Sequence, residues 1–359
     1  MSRYNRHIIL SDVGQQGQDK LSKAKVLVIG AGGLGCPVLQ YLTAAGIGTL
    51  GIIDFDVVEE SNLQRQVLFG TSSLGTNKAL AAKERLEDLN PTINIIAISN
   101  HLTSENALEL FKQYDIIVDG SDNFSTRYLV NDAAILCNKP FVYGAIYKFE
   151  GQVSVFNYNN GPSYRCLFPN TPKEGSVANC SDVGVLGVLP GIIGTMMANE
   201  VIKIILEFEH VLSGRLLCYN SRTAQMPTLR IKRIQSQIDE TLNNKTLSRE
   251  YKTKPCDVAI NEISENDLKA LKNVQFIDVR EAHEQPKLEM KNCLEIPIAK
   301  LESNLNKLNK KKAQILFCQS GMRSKKAAKI LLENKFKNVY SFKDGIHPLI
   351  EALKTKVYE

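Results

Sequence analysis

Two groups of residues in this chain have types and spacing suited to chemistry, and they lie far apart. In the first, Asn62, Arg65, Gln66 and Lys78 follow a glycine turn and an aspartate, with Asp122 further on. Two cations and several amides behind such a turn suit a triphosphate whose bond is to break, because developing negative charge must be neutralised. Surface pairing is the blander reading for any one of the basic residues. Asp122, in Asp119-Gly120-Ser121-Asp122-Asn123, follows an apolar run and so falls at a strand's carboxyl end, where α/β sheets bind ligands. There it could serve as a magnesium ligand, or simply belong to a turn with Asx hydrogen bonds.

The second group is Cys318-Gln319-Ser320-Gly321-Met322-Arg323-Ser324, at the end of an apolar run. A cysteine between a strand and a helix faces the backbone N–H groups of the helix start. With Arg323 nearby, that setting favours a thiolate and can hold an anionic persulfide. Tyrosine phosphatases also place Cys and Arg around an anion, with five residues between them; here there are four.

The element that must position the first group is Val26-Leu27-Val28-Ile29-Gly30-Ala31-Gly32-Gly33-Leu34-Gly35, which reads as strand, tight turn and helix. Gly30, Gly32 and Gly35 fit G-x-G-x-x-G, with Gly33 in the same turn, where backbone N–H groups and a helix N-terminus approach a nucleotide phosphate. Asp54 ends the next apolar run, where a ribose-binding carboxylate is expected. On its own this signal also fits an NAD-dependent oxidoreductase. Residues 70–77 have the glycine spacing of a P-loop but place Thr76 where that motif demands Lys, so a Walker A site is rejected.

Around these turns apolar runs alternate with helical patterns: helices at 77–89, 105–114 and 126–137, strands at 94–99, 116–120, 141–145 and 152–158. Such alternation predicts a parallel sheet covered by helices. Residues 1–25 read as a polar arm or helix, 159–179 as a long Gly/Pro/Asn-rich loop, and 216–220 with 227–232 as a closing hairpin. Apolar content falls from 235 to about 260, which is taken as a linker. A second, smaller α/β pattern follows, with strands at 274–279, 314–317 and 339–342 and helices near 264–271 and 324–334. The domains expected are therefore 1–234 and 261–359, joined by 235–260.

The net charge of +6 is spread over 44 basic and 38 acidic residues of the 359, with no long block beyond Lys310-Lys311-Lys312, which argues against a nucleic-acid partner. The first residues lack the apolar core of a secretory signal. The uncharged stretch 183–199, with Pro190 and four glycines, falls short of the roughly 20 apolar residues of a spanning helix and reads as a buried or subunit-interface helix, so no membrane partner is expected. Eight scattered cysteines without a C-x-x-C pair fit reduced thiols in a cytoplasm.

Taken together, Arg3-Tyr4-Asn5-Arg6-His7, the glycine turn, Asp54-Phe55-Asp56, Ser61-Asn62-Leu63-Gln64-Arg65-Gln66, Asp122-Asn123 and Gly184-Val185-Leu186-Gly187-Val188-Leu189-Pro190-Gly191 resemble the MoeB/ThiF adenylyltransferases, relatives of ubiquitin-activating enzymes. The resemblance covers residues 1 to about 233. It implies a Rossmann-like α/β domain that uses ATP and Mg2+ to adenylate the C-terminal glycine of a small ubiquitin-like sulfur carrier. It also implies a homodimer in which Arg6 reaches the partner's site. By position, Asp54 would hold the ribose, Asn62, Arg65, Gln66 and Lys78 the phosphates, and Asp122 the magnesium, with Asn123 beside it. Cys180 matches a family cysteine implicated in sulfur relay or acyl capture; a buried structural thiol is its other reading.

MoeB-like members carry two C-x-x-C pairs that bind structural zinc. Here the first is Ser163-Tyr164-Arg165-Cys166 and no second follows Cys218, so no zinc site is expected and Cys166 reads as structural. The four-residue Cys318 turn and Phe276-Ile277-Asp278-Val279-Arg280-Glu281 resemble rhodanese sulfurtransferases over about 261–358. The two resemblances together imply a thiocarboxylate on the carrier, made from a Cys318 persulfide charged by thiosulfate or a cysteine desulfurase persulfide. A molybdopterin-synthase carrier and a ThiS-like thiamine carrier both fit.

Overall fold

The protein is described from a computed structural model covering residues 3–172, 184–247, 251, 260–268, 271, 273–288, 290 and 292–354. Cys180 lies outside the described residues. The chain forms two compact units, the first reaching Thr253 and the second holding 254–359.

In the first unit, strands β1 (Lys25–Ile29), β2 (Thr49–Ile53), β3 (Asn94–Ile98), β4 (Ile116–Asp119), β5 (Phe141–Tyr147), β6 (Glu150–Phe156), β7 (Arg215–Asn220) and β8 (Thr228–Arg230) form one sheet in the order β3-β2-β1-β4-β5-β6-β7-β8. The pairs from β3 to β5 are parallel and the rest antiparallel. Strand β1 is apolar throughout its interior because both faces are covered. Val26 and Val28 enter one core with the helices Gly35–Ala45, Lys78–Leu89 and Val188–Ile205; Leu27 and Ile29 enter the other with Ala107–Lys112 and Phe124–Leu136. Strand order reverses direction at β1, so β1 and β4 open a crevice at their carboxyl ends, where the glycine turn and Asp119–Asp122 lie.

The helix Val188–Ile205 is long and apolar enough to span a membrane by composition alone, but Leu189, Ile193, Met197 and Val201 are fully buried in the first core, as expected of a core helix. The polar start of the chain is two short helices, Asn5–Ile8 and Gly14–Lys23.

The expected linker differs from what the structure shows. Residues 235–244 form the helix Gln235–Asn244, whose Ile238 enters the second core of the first unit, as does Leu247 beyond it. One buried face, Ile238 with Thr241, anchors an otherwise polar helix, and that sparse apolar pattern made the segment resemble a linker.

In the second unit, β9 (Asn261–Ile263), β10 (Val274–Asp278), β11 (Cys293–Glu295), β12 (Ala313–Phe317) and β13 (Val339–Phe342) form an all-parallel sheet ordered β11-β10-β12-β13-β9. Helix Met322–Glu333 buries Ala327, Ala328 and Leu331 on one face of the sheet, and helix Ile346–Lys354 buries Ile346 and Leu349 on the other. Strands β9 and β11, three residues each, are too short to show a period.

Candidate active site

The nucleotide turn is shaped by missing side chains. Gly30 has φ +87° and passes so close to Gly120 that a Cβ would lie 3.2 Å from its carbonyl oxygen; a Cβ on Gly35 would lie 1.8 Å from Gly30 O. These two glycines close the turn. Gly32 is different, because a Cβ there would meet only Gln66 Nε2, at 3.9 Å. The N–H of Ala31 is taken by Asp54, while those of Gly32, Gly33 and Leu34 have no acceptor among the described residues. Three free amides at the start of helix Gly35–Ala45 form a site for an anion.

Asp54 is buried at the end of β2. Its Oδ2 accepts from Ala31 N at 2.7 Å and its Oδ1 from Asp56 N at 2.9 Å. Burial pushes its carboxyl above the ordinary range, opposed by those two backbone hydrogen bonds and by the Lys78 charge. The sequence pointed to Lys78 but not to its support. Asn77 caps the helix Lys78–Leu89, accepting from Ala79 N and Leu80 N, and donates to the carbonyls of Asp54 and Asp56. That clamp holds Lys78 beside Asp56, with Nζ 3.0 Å from Oδ2, and the lysine is buried while its partner is half exposed.

Gln66 is 3% exposed and its Oε1 has no hydrogen-bond partner among the described residues. A buried unpaired amide oxygen is costly and calls for a ligand or water. Arg65 lies across Gly33, with its Cδ 3.7 Å from where a Cβ would stand, and donates to Ser61 O at 2.9 Å. Asn62 accepts from Glu59 N at 3.2 Å, so part of its capacity shapes the 60–62 turn. Pro190, at the start of helix Val188–Ile205, approaches the same Gly33. Gly30, Gly32, Gly33, Gly35, Asp54, Arg65, Gln66 and Lys78 thus gather at one sheet edge.

Asp122 is exposed beside this edge, on a turn built by buried groups. Asp119 accepts from Ser121 N and Ser121 Oγ through Oδ1, and Arg127 donates to Ser121 O at 3.2 Å. Burial drives the Asp119 carboxyl upward, with the Arg127 charge opposing. Asn123 caps helix Phe124–Leu136 by accepting from Thr126 N at 2.9 Å, so its carbonyl serves the fold. Arg6 is exposed and forms no ion pair among the described residues, while Tyr4 anchors its segment through Asn90 and Thr92.

Cys166 is buried, and its sulfur lies within hydrogen-bond reach of Ser163 N and Oγ and of Ile234 N. Among the described residues no three His, Cys, Asp or Glu side chains converge as metal ligands.

In the second unit, Cys318 follows β12 and is 1% exposed. Gly321 (φ +85°) and Gly345 (φ +79°) let the turn close; Cβ atoms there would sit 2.2 Å from Lys343 O and 2.1 Å from Gln319 O. Among the described residues the N–H groups of 319–324 meet no acceptor, which leaves them free as donors at the Cys318 turn. The Cys318 thiol lies 3.7 Å from Ser324 Oγ. Arg323, expected as a cation beside the thiol, is bound in both arms by Glu284, at 2.6 and 2.7 Å. Sequence gave no signal for Glu284, which lies 39 residues away on the loop after β10.

The chain matches the ThiF family over residues 4–239 and the rhodanese-like domain over 264–351. It is 52% identical over 238 residues to a sulfur carrier protein adenylyltransferase of Thermus thermophilus, covering 65% of this chain and 88% of that one. It is 40% identical over 360 residues to a probable adenylyltransferase/sulfurtransferase, MoeZ, of Mycobacterium tuberculosis, covering 96% and 92%. Among solved structures, Escherichia coli MccB with ATP superposes with a TM-score of 0.56 at 25% identity, covering 65% of this chain and 72% of that one.

Proposed function

As a member of the ThiF family that also carries a rhodanese-like domain, the chain is an enzyme of the adenylyltransferase/sulfurtransferase kind, and we propose that it makes a thiocarboxylate on a ubiquitin-like sulfur carrier. The observation that carries this reading is the convergence of free turn amides, Arg65, Lys78 and the Gln66 side-chain Nε2 beside Asp54, in a chain that aligns along nearly its whole length with a probable adenylyltransferase/sulfurtransferase.

In this reading ATP lies along the glycine turn. Asp54 accepts from the ribose hydroxyls, the N–H groups of Gly32 and Gly33 and the Nε2 donor of Gln66 hold phosphate oxygens, and Arg65 and Lys78 meet the charge that develops on pyrophosphate. The carboxylate of the carrier's C-terminal Gly-Gly attacks the α-phosphorus, and pyrophosphate leaves with the bonding pair. Asn62 holds the 60–62 turn, and Arg6 is available to a second copy's site in a homodimer. An exposed Asp122 on a turn fixed from beneath fits a magnesium ligand, with Asn123 fixing the following helix start. Magnesium, when bound, neutralises phosphate charge.

Sulfur enters at Cys318. Its persulfide attacks the acyl carbon of the adenylate and AMP leaves, giving an acyl disulfide. The Cys180 thiolate, in the role we assign to it, then attacks the Cys318 sulfur: a Cys180–Cys318 disulfide forms, the thiocarboxylate leaves with the electron pair of the broken S–S bond, and an external dithiol reductant returns both cysteines to thiols. The nicotinamide oxidoreductase alternative loses its support, since the glycine turn belongs to a ThiF domain. Molybdopterin-synthase and ThiS-like carriers both fit. The test is mass spectrometry of each carrier after incubation with enzyme, ATP, magnesium and a sulfur donor. An oxygen-to-sulfur exchange at the carrier's C-terminus is expected, and an unchanged carrier with no pyrophosphate release would refute the assignment.

A further inference from the structure

We propose that Glu284 is a specificity-determining residue that turns the Cys318 site toward persulfide donors and away from small dianionic donors such as thiosulfate. The inference rests on Cys318 being the sulfur acceptor.

The carboxylate of Glu284 takes both arms of the Arg323 guanidinium, at 2.6 and 2.7 Å, the two-point geometry in which an arginine is most fully satisfied. Glu284 is itself held in place. Its Oε1 accepts from Glu281 N at 2.8 Å, and its own N–H donates to Glu281 O at 3.0 Å. The second arginine that reaches the turn is matched in the same way: Arg280 donates to both carboxylate oxygens of Asp278 and extends two further bonds, at 2.7 Å to Pro286 O and at 3.3 Å to Gln319 Oε1. Both arginines at the turn therefore have their own carboxylate.

Besides the two arginines, the groups at the turn that can bind an anion are the N–H groups of 319–324, which have no acceptor among the described residues. Backbone dipoles of this kind solvate the single charge on a persulfide sulfur. They offer no uncompensated cation for the second charge of thiosulfate, which would also approach the Glu284 carboxylate. In either reaction the Cys318 thiolate attacks the donor's sulfane sulfur. A new S–S bond forms, the donor's S–S bond breaks, and its electron pair leaves on sulfite from thiosulfate or on a thiolate from a persulfide. No oxidant or reductant is consumed.

The test measures the second-order rate constant of Cys318 persulfide formation in the full chain, with thiosulfate and with cysteine persulfide, by mass spectrometry. In Glu284→Gln the ratio of the thiosulfate to the cysteine persulfide constant should rise about tenfold, and Glu284→Asp should return it toward the wild-type value. A merely structural role would lower both constants together and leave the ratio unmoved, and that result overturns the proposal. The wild-type protein gives an independent check. Loading from thiosulfate should depend little on ionic strength, since a steep fall with salt would reveal an uncompensated cation and overturn the proposal without any variant. Absence of a Cys318 persulfide with either donor is a different outcome, and it would remove the sulfur-acceptor reading itself.

Discussion

Gln66 faces Gly32 across the nucleotide turn, its side-chain amide nitrogen 3.9 Å from where a Cβ on Gly32 would stand. The space is real, since that distance is ordinary contact, whereas a Cβ on Gly35 would lie 1.8 Å from Gly30 O. Two neighbouring glycines should therefore fail differently. Gly32→Ala should keep its unfolding midpoint and raise the KM for ATP at least several-fold in ATP–pyrophosphate exchange. Gly35→Ala should lower stability by about 2 kcal/mol or more, seen in denaturant unfolding.

Arg65→Ala, Lys78→Ala and Asp122→Ala should each suppress ATP–pyrophosphate exchange by about 10²-fold or more, because each removes charge at the reacting phosphates. Their folds should survive. Lys78 is buried, but its partner Asp56 is half exposed and water can solvate the carboxylate left behind. Near-normal exchange by all three folded variants would sink the assignment of this edge.

The Arg323 hydrogen bonds hold the Glu284 carboxyl at about 2, against an ordinary value of 4.5. Within that window the unfolded chain binds a proton that the folded one refuses, so the contribution of this pair is complete above 4.5 and declines as pH falls toward 2. Carboxyl NMR should show Glu284 titrating well below its free counterparts, and Arg323→Gln should move it back up.

Cys318→Ala should keep ATP–pyrophosphate exchange and abolish thiocarboxylate formation from thiosulfate or a persulfide, because a methyl group cannot carry sulfur. Inorganic sulfide at high concentration should partly restore product by attacking the acyl adenylate directly. Full product from this variant with thiosulfate as sole donor would show that sulfur enters elsewhere.

With Ser163 where a zinc-binding pair needs cysteine, and the Cys166 sulfur engaged by Ser163 and Ile234, the purified protein should hold no stoichiometric zinc. Elemental analysis decides this.

The parallel core was legible in the sequence because its strands are apolar on both faces and its helices keep a period, as in Val26-Leu27-Val28-Ile29 before the glycines. Asp54 and Lys78 were legible as positions but not as chemistry. The Asn77 clamp and the Lys78–Asp56 pair join residues from two turns that only the fold brings together. The same holds for Glu284. Local sequence placed Arg323 near Cys318 but not its partner, since it carries no record of a carboxylate arriving from another strand's loop.

The helix Gln235–Asn244 also sets where the molecule can be cut. A first half ended at 234, where the polar composition invites a boundary, would lose Ile238 and Leu247, each worth about 1.5–3 kcal/mol when fully buried, and would expose the cavity they fill. Because that helix lies against Phe124–Leu136, the helix that follows Asp122, the lesion would reach an element of the proposed ATP site. A dissection meant to isolate adenylation should keep the chain at least through Leu247, and activity missing from a shorter fragment would report a broken core, with no bearing on whether sulfur transfer is needed for it.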